Sequence, residues 1–168
     1  MKPKVSIIMG STSDLPVMEK AANVLNDFKV PFEMHALSAH RTPAEVEAFA
    51  RNAGARGIEV IIAGAGMAAH LPGVIAAMTP LPVIGVPINA SLDGMDALLA
   101  IAQMPPGIPV AATAINGAMN AAILAVQILA VGDPSLKEEV TRFKESLKGK
   151  IVEANKELST ITYPYKTN

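Results

Sequence analysis

The residues most suited to chemistry are grouped in three short loops, at positions 10–14 (GSTSD), 38–43 (SAHRTP) and 63–73 (AGAGMAAHLPG). Together the loops hold two of the three histidines, with arginine, aspartate, serine and glycine around them. Histidine titrates near neutral pH and can both give and take a proton, and arginine binds phosphate or carboxylate through its planar fork. This combination predicts a pocket for a small, phosphorylated substrate that exchanges protons.

The first loop combines short hydroxyl side chains with the backbone N–H groups of a predicted helix start. Such a combination suits phosphate, and Ser11 and Ser13 are its candidate donors. Asp14 would repel a phosphate, so we expect it to cap the helix or to accept hydrogen bonds from ribose hydroxyls. The loop has neither the Gly-Lys-Ser/Thr ending of a P-loop nor a GxGxxG pattern. A purely structural serine-rich turn is the competing interpretation.

The second loop places His40 and Arg41 side by side just before a predicted helix. Residues 42–45 (TPAE) have the spacing of a capping box, with proline at the first helical position. Both side chains can therefore reach one anionic ligand at the helix entrance, where Ser38 can add a hydroxyl. A surface or capping role for His40 is the alternative.

The third loop is rich in small residues. Gly64 and Gly66 would let the backbone approach a ligand closely, and N–H groups at the next helix start could hold a carboxylate. His70 could equally contact the ligand or cap a backbone group. The remaining histidine, His35, lies within a predicted strand and is interpreted as structural.

Apolar runs that alternate with helical patterns must position these loops. Strand–helix alternation without hairpin signals indicates a parallel, doubly wound sheet, and five strands in this length favour a flavodoxin-like three-layer α/β sandwich of order 2-1-3-4-5. Loops that follow the carboxyl ends of such strands meet at one crevice. The predicted strands are residues 4–9, 32–37, 58–63, 83–86 and 109–113, and the predicted helices are 14–28, 43 to 54–57, 70–72 onward, 92–103 and 119–129.

Composition narrows the class of protein. A chain of 168 residues suits one domain, and a formal net charge of −1 gives no basis for binding nucleic acid. The absence of cysteine excludes disulfides and thiolate metal sites, and three dispersed histidines do not form a metal-ligand pattern. The loops also lack the aromatic side chains that a flavin site needs.

Hydrophobic residues make up 51% of the chain and charged residues only 17%. The most apolar stretch, residues 108–131, is interrupted by Pro109, Asn116 and Gln127, so we predict a strand, a turn and a buried helix there, and no membrane span. The N-terminal residues enter a strand without a signal segment. We therefore expect a cytoplasmic protein whose surplus apolar surface lies in subunit interfaces.

From position 133 onward the sequence changes character. Apolar residues recur at spacings of three and four, opposite a face rich in lysine and glutamate, which predicts one long amphipathic helix. Within a single domain, we expect residues 1–132 to form the catalytic part and residues 133–168 to form a helix and tail that pack on neighbouring subunits. Packing on its own subunit is the alternative. The apolar stripe consists of Leu136, Val140, Phe143, Leu147, Ile151, Ala154 and Leu158.

Six sequence strings occur in order between about residues 5 and 129: MGSTSD (9–14), SAHRTP (38–43), AGAGMAAHLPG (63–73), GVP (85–87), QMPPGIPV (103–110) and NAAILAVQIL (120–129). Together they resemble the N5-carboxyaminoimidazole ribonucleotide mutase family of purine biosynthesis. The resemblance implies a flavodoxin-like fold, a homo-octamer, and no cofactor, metal or ATP. It also implies an isomerase that moves a carboxylate from the exocyclic nitrogen of the ribonucleotide to carbon 4 of its imidazole ring.

The resemblance further assigns roles to the first two loops. Ser11, Ser13 and Arg41 would hold the 5′-phosphate of the ribonucleotide substrate, with Ser38 nearby. Asp14 would bind the ribose hydroxyls.

In the same way, the resemblance makes His40 the proton shuttle and lets the third loop enclose the imidazole and the migrating carboxylate. This loop departs from many relatives at Met67, where they carry glycine, and residues 89–96 (NASLDGMD) are one residue shorter than the commonest form. The enclosing residues would be Gly64, Gly66, Met67, Ala68, His70 and Leu71.

Two alternatives remain, a carboxylase that uses free carbon dioxide and a non-catalytic nucleotide-binding module. The carboxylase class resembles SAHK where this chain has SAHR, and lacks the third string.

Overall fold

In a computed structural model that describes residues 1–168, five strands form one parallel sheet. The strand order is 2-1-3-4-5, and every neighbouring pair is parallel, which confirms the flavodoxin-like prediction. The strands are β1 (Val5–Met9), β2 (Phe32–Ala36), β3 (Val60–Gly66), β4 (Val83–Ile88) and β5 (Ala111–Ala112).

Six helices cover the sheet on both faces. The helices are α1 (Leu15–Asp27), α2 (Pro43–Asn52), α3 (Leu71–Ala76), α4 (Met95–Ala102), α5 (Ala118–Leu129) and α6 (Pro134–Thr160). Helices α1 and α5 lie on one face, with the start of α6 beside α5, and α2, α3 and α4 lie on the other. None of the helices combines the length and the apolar character that crossing a bilayer requires.

Alternating strand residues contribute to two separate cores. In β1, Ile7 belongs to the core under α1 and α5, whereas Ile8 belongs to the core under α2, α3 and α4. This alternation explains why the central strands are nearly continuous apolar runs, since both faces of a parallel sheet are covered by helices. Helix α5 faces α1 and the sheet largely with alanines, which allows a close approach between these elements.

Several predicted bounds differ from the structure, and the differences at β3, β5 and α4 have clear physical reasons. Strand β3 continues three residues beyond Ala63, so its glycines lie in the strand and not in the following loop. Strand β5 is only two residues long, because it is an edge strand that follows Pro109, which has no N–H to donate. Helix α4 begins at Met95 and not near residue 92, because residues 92–94 have positive φ angles that are incompatible with a right-handed helix.

The prediction of a long C-terminal helix is confirmed, and only the first half of this helix packs against the rest of the chain. Val140 is its one buried residue, and the ring of Phe143 lies 5.4 Å from the ring of Phe28. From Lys144 to the end of the helix every residue is exposed. The apolar stripe of α6 therefore extends beyond the part of the helix that packs against the rest of the chain.

Candidate active site

The three loops singled out in the sequence meet at the carboxyl edge of β1, β2 and β3. Strands β1 and β3 are neighbours in the sheet, yet the helices that follow them leave toward opposite faces. A crevice opens where the chain direction divides in this way, and it is the usual ligand site of such sheets. The cavity here has a volume of about 570 Å³, in the range of small-molecule sites.

Every predicted site residue except Gly64 lines this cavity. Gly64 lies one step back in β3, paired with Met9 of β1 and Val86 of β4, and its Cα faces the core and not the crevice. The lining residues that the sequence predicted are Ser11, Ser13, Asp14, Ser38, His40, Arg41, Gly66, Met67, Ala68, His70 and Leu71.

In the first loop, the Ser11 hydroxyl accepts a hydrogen bond from the N–H of Ser13 at 3.3 Å. Asp14 stands at the helix entrance, but its carboxylate does not cap α1, so the capping alternative was wrong and the ribose alternative stays a prediction. Partial burial raises the pKa of Asp14 above its ordinary value. Hydrogen bonds from the backbone of Ser11 and Gly10, and the charge of Arg41, lower the pKa and only partly offset the burial.

In the second loop, Ser38 and Thr42 hold each other in place. The Ser38 N–H donates to the Thr42 hydroxyl at 2.9 Å, and that hydroxyl donates to the Ser38 carbonyl at 3.1 Å. The Thr42 side chain therefore does not cap α2, so the predicted capping box does not form, although Pro43 does begin the helix. The loop is closed by its own ends, which fixes the direction in which the residues between them point.

Arg41 is oriented by two partners of the site itself. Its Nη2 donates to the Gly10 carbonyl at 2.7 Å, and its Nε donates to the Ser38 hydroxyl at 3.3 Å. These bonds join the first and second loops and leave further guanidinium N–H groups free to bind an anion.

His40 and His70 come from different loops and meet in the cavity. The Nε2 atom of His40 is 2.7 Å from the Nδ1 atom of His70, and the ring planes are 84° apart. Beside them, Met67 is exposed with a φ angle of +54°, a conformation that glycine adopts more easily. The departure at Met67 thus falls at a position whose backbone favours glycine.

Four further lining residues were not predicted: Gly10, Ala39, Ala65 and Ala90. Ala90 follows β4, so the rule that identified the other loops could have found it. It carries no chemical group that would have singled it out. No group of three or more histidine, aspartate or glutamate side chains is placed to hold a metal ion.

A family model described as AIR carboxylase matches residues 4–150, most of the chain. The chain belongs to the AIR carboxylase family. A relative from this family, the N5-carboxyaminoimidazole ribonucleotide mutase of Pyrococcus abyssi, is 61% identical over 147 residues, covering 87% of this chain and 84% of the relative.

Two other AIR carboxylase relatives extend the comparison. The phosphoribosylaminoimidazole carboxylase of Saccharomyces cerevisiae is 54% identical over 164 residues, which cover 97% of this chain and 29% of the yeast protein. A crystal structure of a Treponema denticola PurE2 variant superimposes with a TM-score of 0.85 at 30% identity, covering 94% of this chain and 99% of the other.

Proposed function

We propose that this protein is an isomerase of purine biosynthesis that converts N5-carboxyaminoimidazole ribonucleotide to 4-carboxy-5-aminoimidazole ribonucleotide. The identity of 61% to the Pyrococcus abyssi mutase supports this reaction. The structural observation that carries it is the contact between His40 and His70 inside a cavity whose other polar groups suit a phosphate and a ribose.

The substrate is held at its phosphate end by the first two loops. Ser11 and Ser13 offer hydroxyls, and Arg41 offers a guanidinium already aimed by the Gly10 carbonyl. Asp14 is set back beside them and accepts hydrogen bonds from the ribose hydroxyls. With the phosphate and the ribose held by these residues, the imidazole ring of the substrate lies next to His40 and His70 in this proposal.

His40 moves the one proton that the isomerisation requires. It gives a proton to the exocyclic nitrogen as the N–C bond breaks and carbon dioxide is released. Carbon 4 of the ring then attacks the carbon dioxide and forms the new C–C bond. His40 finally takes the proton from carbon 4 and returns to its starting state, so no other reactant is consumed.

The third loop keeps the carbon dioxide beside the ring. Gly66, Ala68 and Leu71 line the cavity next to His70 with small or apolar surfaces. A neutral, apolar molecule is retained by such walls, and a reaction in a closed site avoids losing its intermediate to water.

A second candidate is the carboxylase that adds free carbon dioxide to 5-aminoimidazole ribonucleotide, favoured by the 54% identity to the yeast protein of that name. Arg41 and His70 in this chain favour the mutase, because the carboxylase class resembles SAHK at the second loop and lacks the third string.

The deciding experiment incubates the purified protein with N5-carboxyaminoimidazole ribonucleotide, without ATP or added bicarbonate. Rapid formation of the carbon 4 isomer supports the mutase. Turnover only with 5-aminoimidazole ribonucleotide at high bicarbonate assigns the carboxylase. Binding of either ribonucleotide without turnover assigns a non-catalytic module.

We further propose that the protein works as a homo-oligomer, an octamer by family resemblance, in the cytoplasm. The start of α6 packs on its own chain, so only the exposed residues from 144 onward would pack on neighbouring subunits. Leu147, Ile151 and Leu158 support this packing, because they are 46%, 65% and 53% exposed on one stripe of α6. The lack of cysteine is compatible with a reducing compartment.

A further inference from the structure

Gly64 touches the helix behind the site and not the cavity. In β3 it shares a sheet face with Val60 and Ile62, the face that α1 and α5 cover. A Cβ atom built at Gly64 would lie 2.5 Å from the Sδ atom, 3.0 Å from Cε and 3.2 Å from Cγ of Met18. The Met18 side chain therefore packs directly on the backbone of β3 at this point, in the space that a side chain at residue 64 would occupy.

Met18 has little room to move away from an added methyl group. Its side chain is fully buried, and three of its atoms would be crowded together, so rotating the terminal methyl alone does not relieve the overlap. The neighbouring helix α5 closes this core with Ala118, Ala121 and Ala122. In a close-packed interior, a larger residue 64 therefore requires the Met18 side chain to repack against these alanines or α1 to move away from β3.

This contact lies directly between the two halves of the site. Met18 is in the first turns of α1, which starts immediately after the Ser11–Asp14 segment. Gly64 is two residues before the end of β3, from which the chain enters the loop that carries His70. Helix α1 and β3 are thus the elements from which the phosphate end of the cavity and the loop of His70 extend.

We propose that Gly64 and Met18 are a positioning pair that fixes the spacing between the phosphate-binding loop and the loop that encloses the reacting carboxylate. The inference rests on the proposed function for the identity of the substrate. It gives a role to the one predicted site residue that does not line the cavity.

The test compares Gly64→Ala, Met18→Ala and the double variant, with Gly54→Ala as a control at an exposed glycine that has open space around it. We expect Gly64→Ala to raise KM for N5-carboxyaminoimidazole ribonucleotide by about fivefold or more, because displaced anchors no longer match the substrate. Partial loss of fold would lower kcat and leave KM unchanged. The double variant should recover a KM within about twofold of that of Met18→Ala, while remaining less thermostable than the wild type.

The positioning role would be overturned by an unchanged KM in Gly64→Ala, or by a double variant whose KM is as high as that of Gly64→Ala. If Gly64→Ala does not fold, the comparison between the double variant and Met18→Ala tests the positioning role instead. A double variant that is unfolded, or whose KM is distinctly higher than that of Met18→Ala, counts against this role. The dissociation constant of 5-aminoimidazole ribonucleotide, measured by calorimetry, tests the same spacing without requiring turnover. Absence of wild-type turnover with intact binding would therefore contradict the proposed reaction and leave the positioning role testable.

Discussion

The Nε2 atom of His40 and the Nδ1 atom of His70 are 2.7 Å apart, although the residues are thirty positions apart in the chain. A hydrogen bond of this length requires one nitrogen to carry a hydrogen and the other to present a lone pair. The contact therefore fixes the ring orientation of His40. It also couples the tautomer of each ring to that of the other.

Replacing His40 by asparagine removes the imidazole that we propose as the proton shuttle. We expect His40→Asn to lower kcat by about 10³-fold, within the range typical of general acid–base catalysis, with little change in the melting temperature because the side chain is exposed. The assay is conversion of the N5-carboxylated ribonucleotide. His35→Asn is the matched control, since His35 lies on β2 beside Glu33, outside the cavity, and should retain wild-type turnover.

His70 is expected to act by positioning His40. His70→Leu removes the ring nitrogen that faces His40, so kcat should fall about 10- to 100-fold while KM changes less than about threefold. The amide of His70→Asn reaches the place of the lost Nδ1 atom and should recover part of kcat. A leucine variant with wild-type kcat, or an asparagine variant no better than leucine, would show that the contact has no part in turnover.

The sequence predicted the sheet order and most of the residues that line the cavity, and the reason is geometric. Each polar loop followed an apolar run, and parallel strands bring their carboxyl ends to one edge. The same rule applied to β4 leads to Ala90, which was missed because an alanine carries no chemistry.

Side-chain direction was less predictable than position. The TPAE spacing of residues 42–45 predicts a capping box, but the Thr42 hydroxyl is taken by Ser38 four residues earlier. The glycines of the third loop were expected to face a ligand. Strand β3 extends through Gly64, and the two-residue alternation of a strand then turns that position toward Met18. The first outcome depends on competition between neighbouring side chains, and the second depends on a tertiary contact. A rule based on residue spacing contains neither.

Arginine at position 41 should be irreplaceable by lysine. The guanidinium donates to the Gly10 carbonyl and to the Ser38 hydroxyl while keeping other N–H groups for phosphate, which a single ammonium cannot do. We expect Arg41→Lys to raise KM about tenfold and to leave kcat within about threefold, as measured by initial rates. Arg51→Lys on α2, where the arginine pairs only with Glu47, should leave both constants unchanged. Equal KM values in the two variants would remove Arg41 from substrate binding.

We expect the Asp14 carboxyl to lower the stability of the folded protein at neutral pH and to contribute to substrate binding. Because burial raises its pKa in the folded state, the folded protein binds this proton more tightly than the unfolded chain does. Its carboxyl therefore favours folding at pH values below its ordinary pKa, and that contribution is lost as the pH rises through the raised pKa. Asp14→Asn cannot ionise, so it should melt at a higher temperature than the wild type at pH 7, and the difference should vanish near about pH 3.

The same Asp14 variant should bind the substrate less well, because an amide offers the ribose hydroxyls one acceptor oxygen in place of two. Melting curves at pH 7 and at low pH, together with KM, check both effects. A lower melting temperature at pH 7, or an unchanged KM, would contradict the role assigned to this carboxyl.

The C-terminal helix can be divided at the point where it leaves its own subunit. Val140 and Phe143 pack against this subunit, whereas Leu147 and the residues after it are exposed. Ending the chain after residue 147 therefore removes only surface that this subunit does not use. Ending it after Val131 also uncovers the core at α5, so it should lower the melting temperature as well as break the assembly.

If residues 148–168 pack on neighbouring subunits, we expect the chain that ends at residue 147 to stay folded but to form an assembly with fewer subunits. Light scattering after size-exclusion chromatography measures the mass of the assembly, and thermal unfolding monitored by circular dichroism checks the fold. The apolar stripe is long and the subunit leaves it uncovered, so burying it against other copies is the favourable outcome in water. An unchanged number of subunits in the truncated protein would show that the projecting half of α6 is dispensable for assembly, and the interface would have to lie elsewhere on the chain.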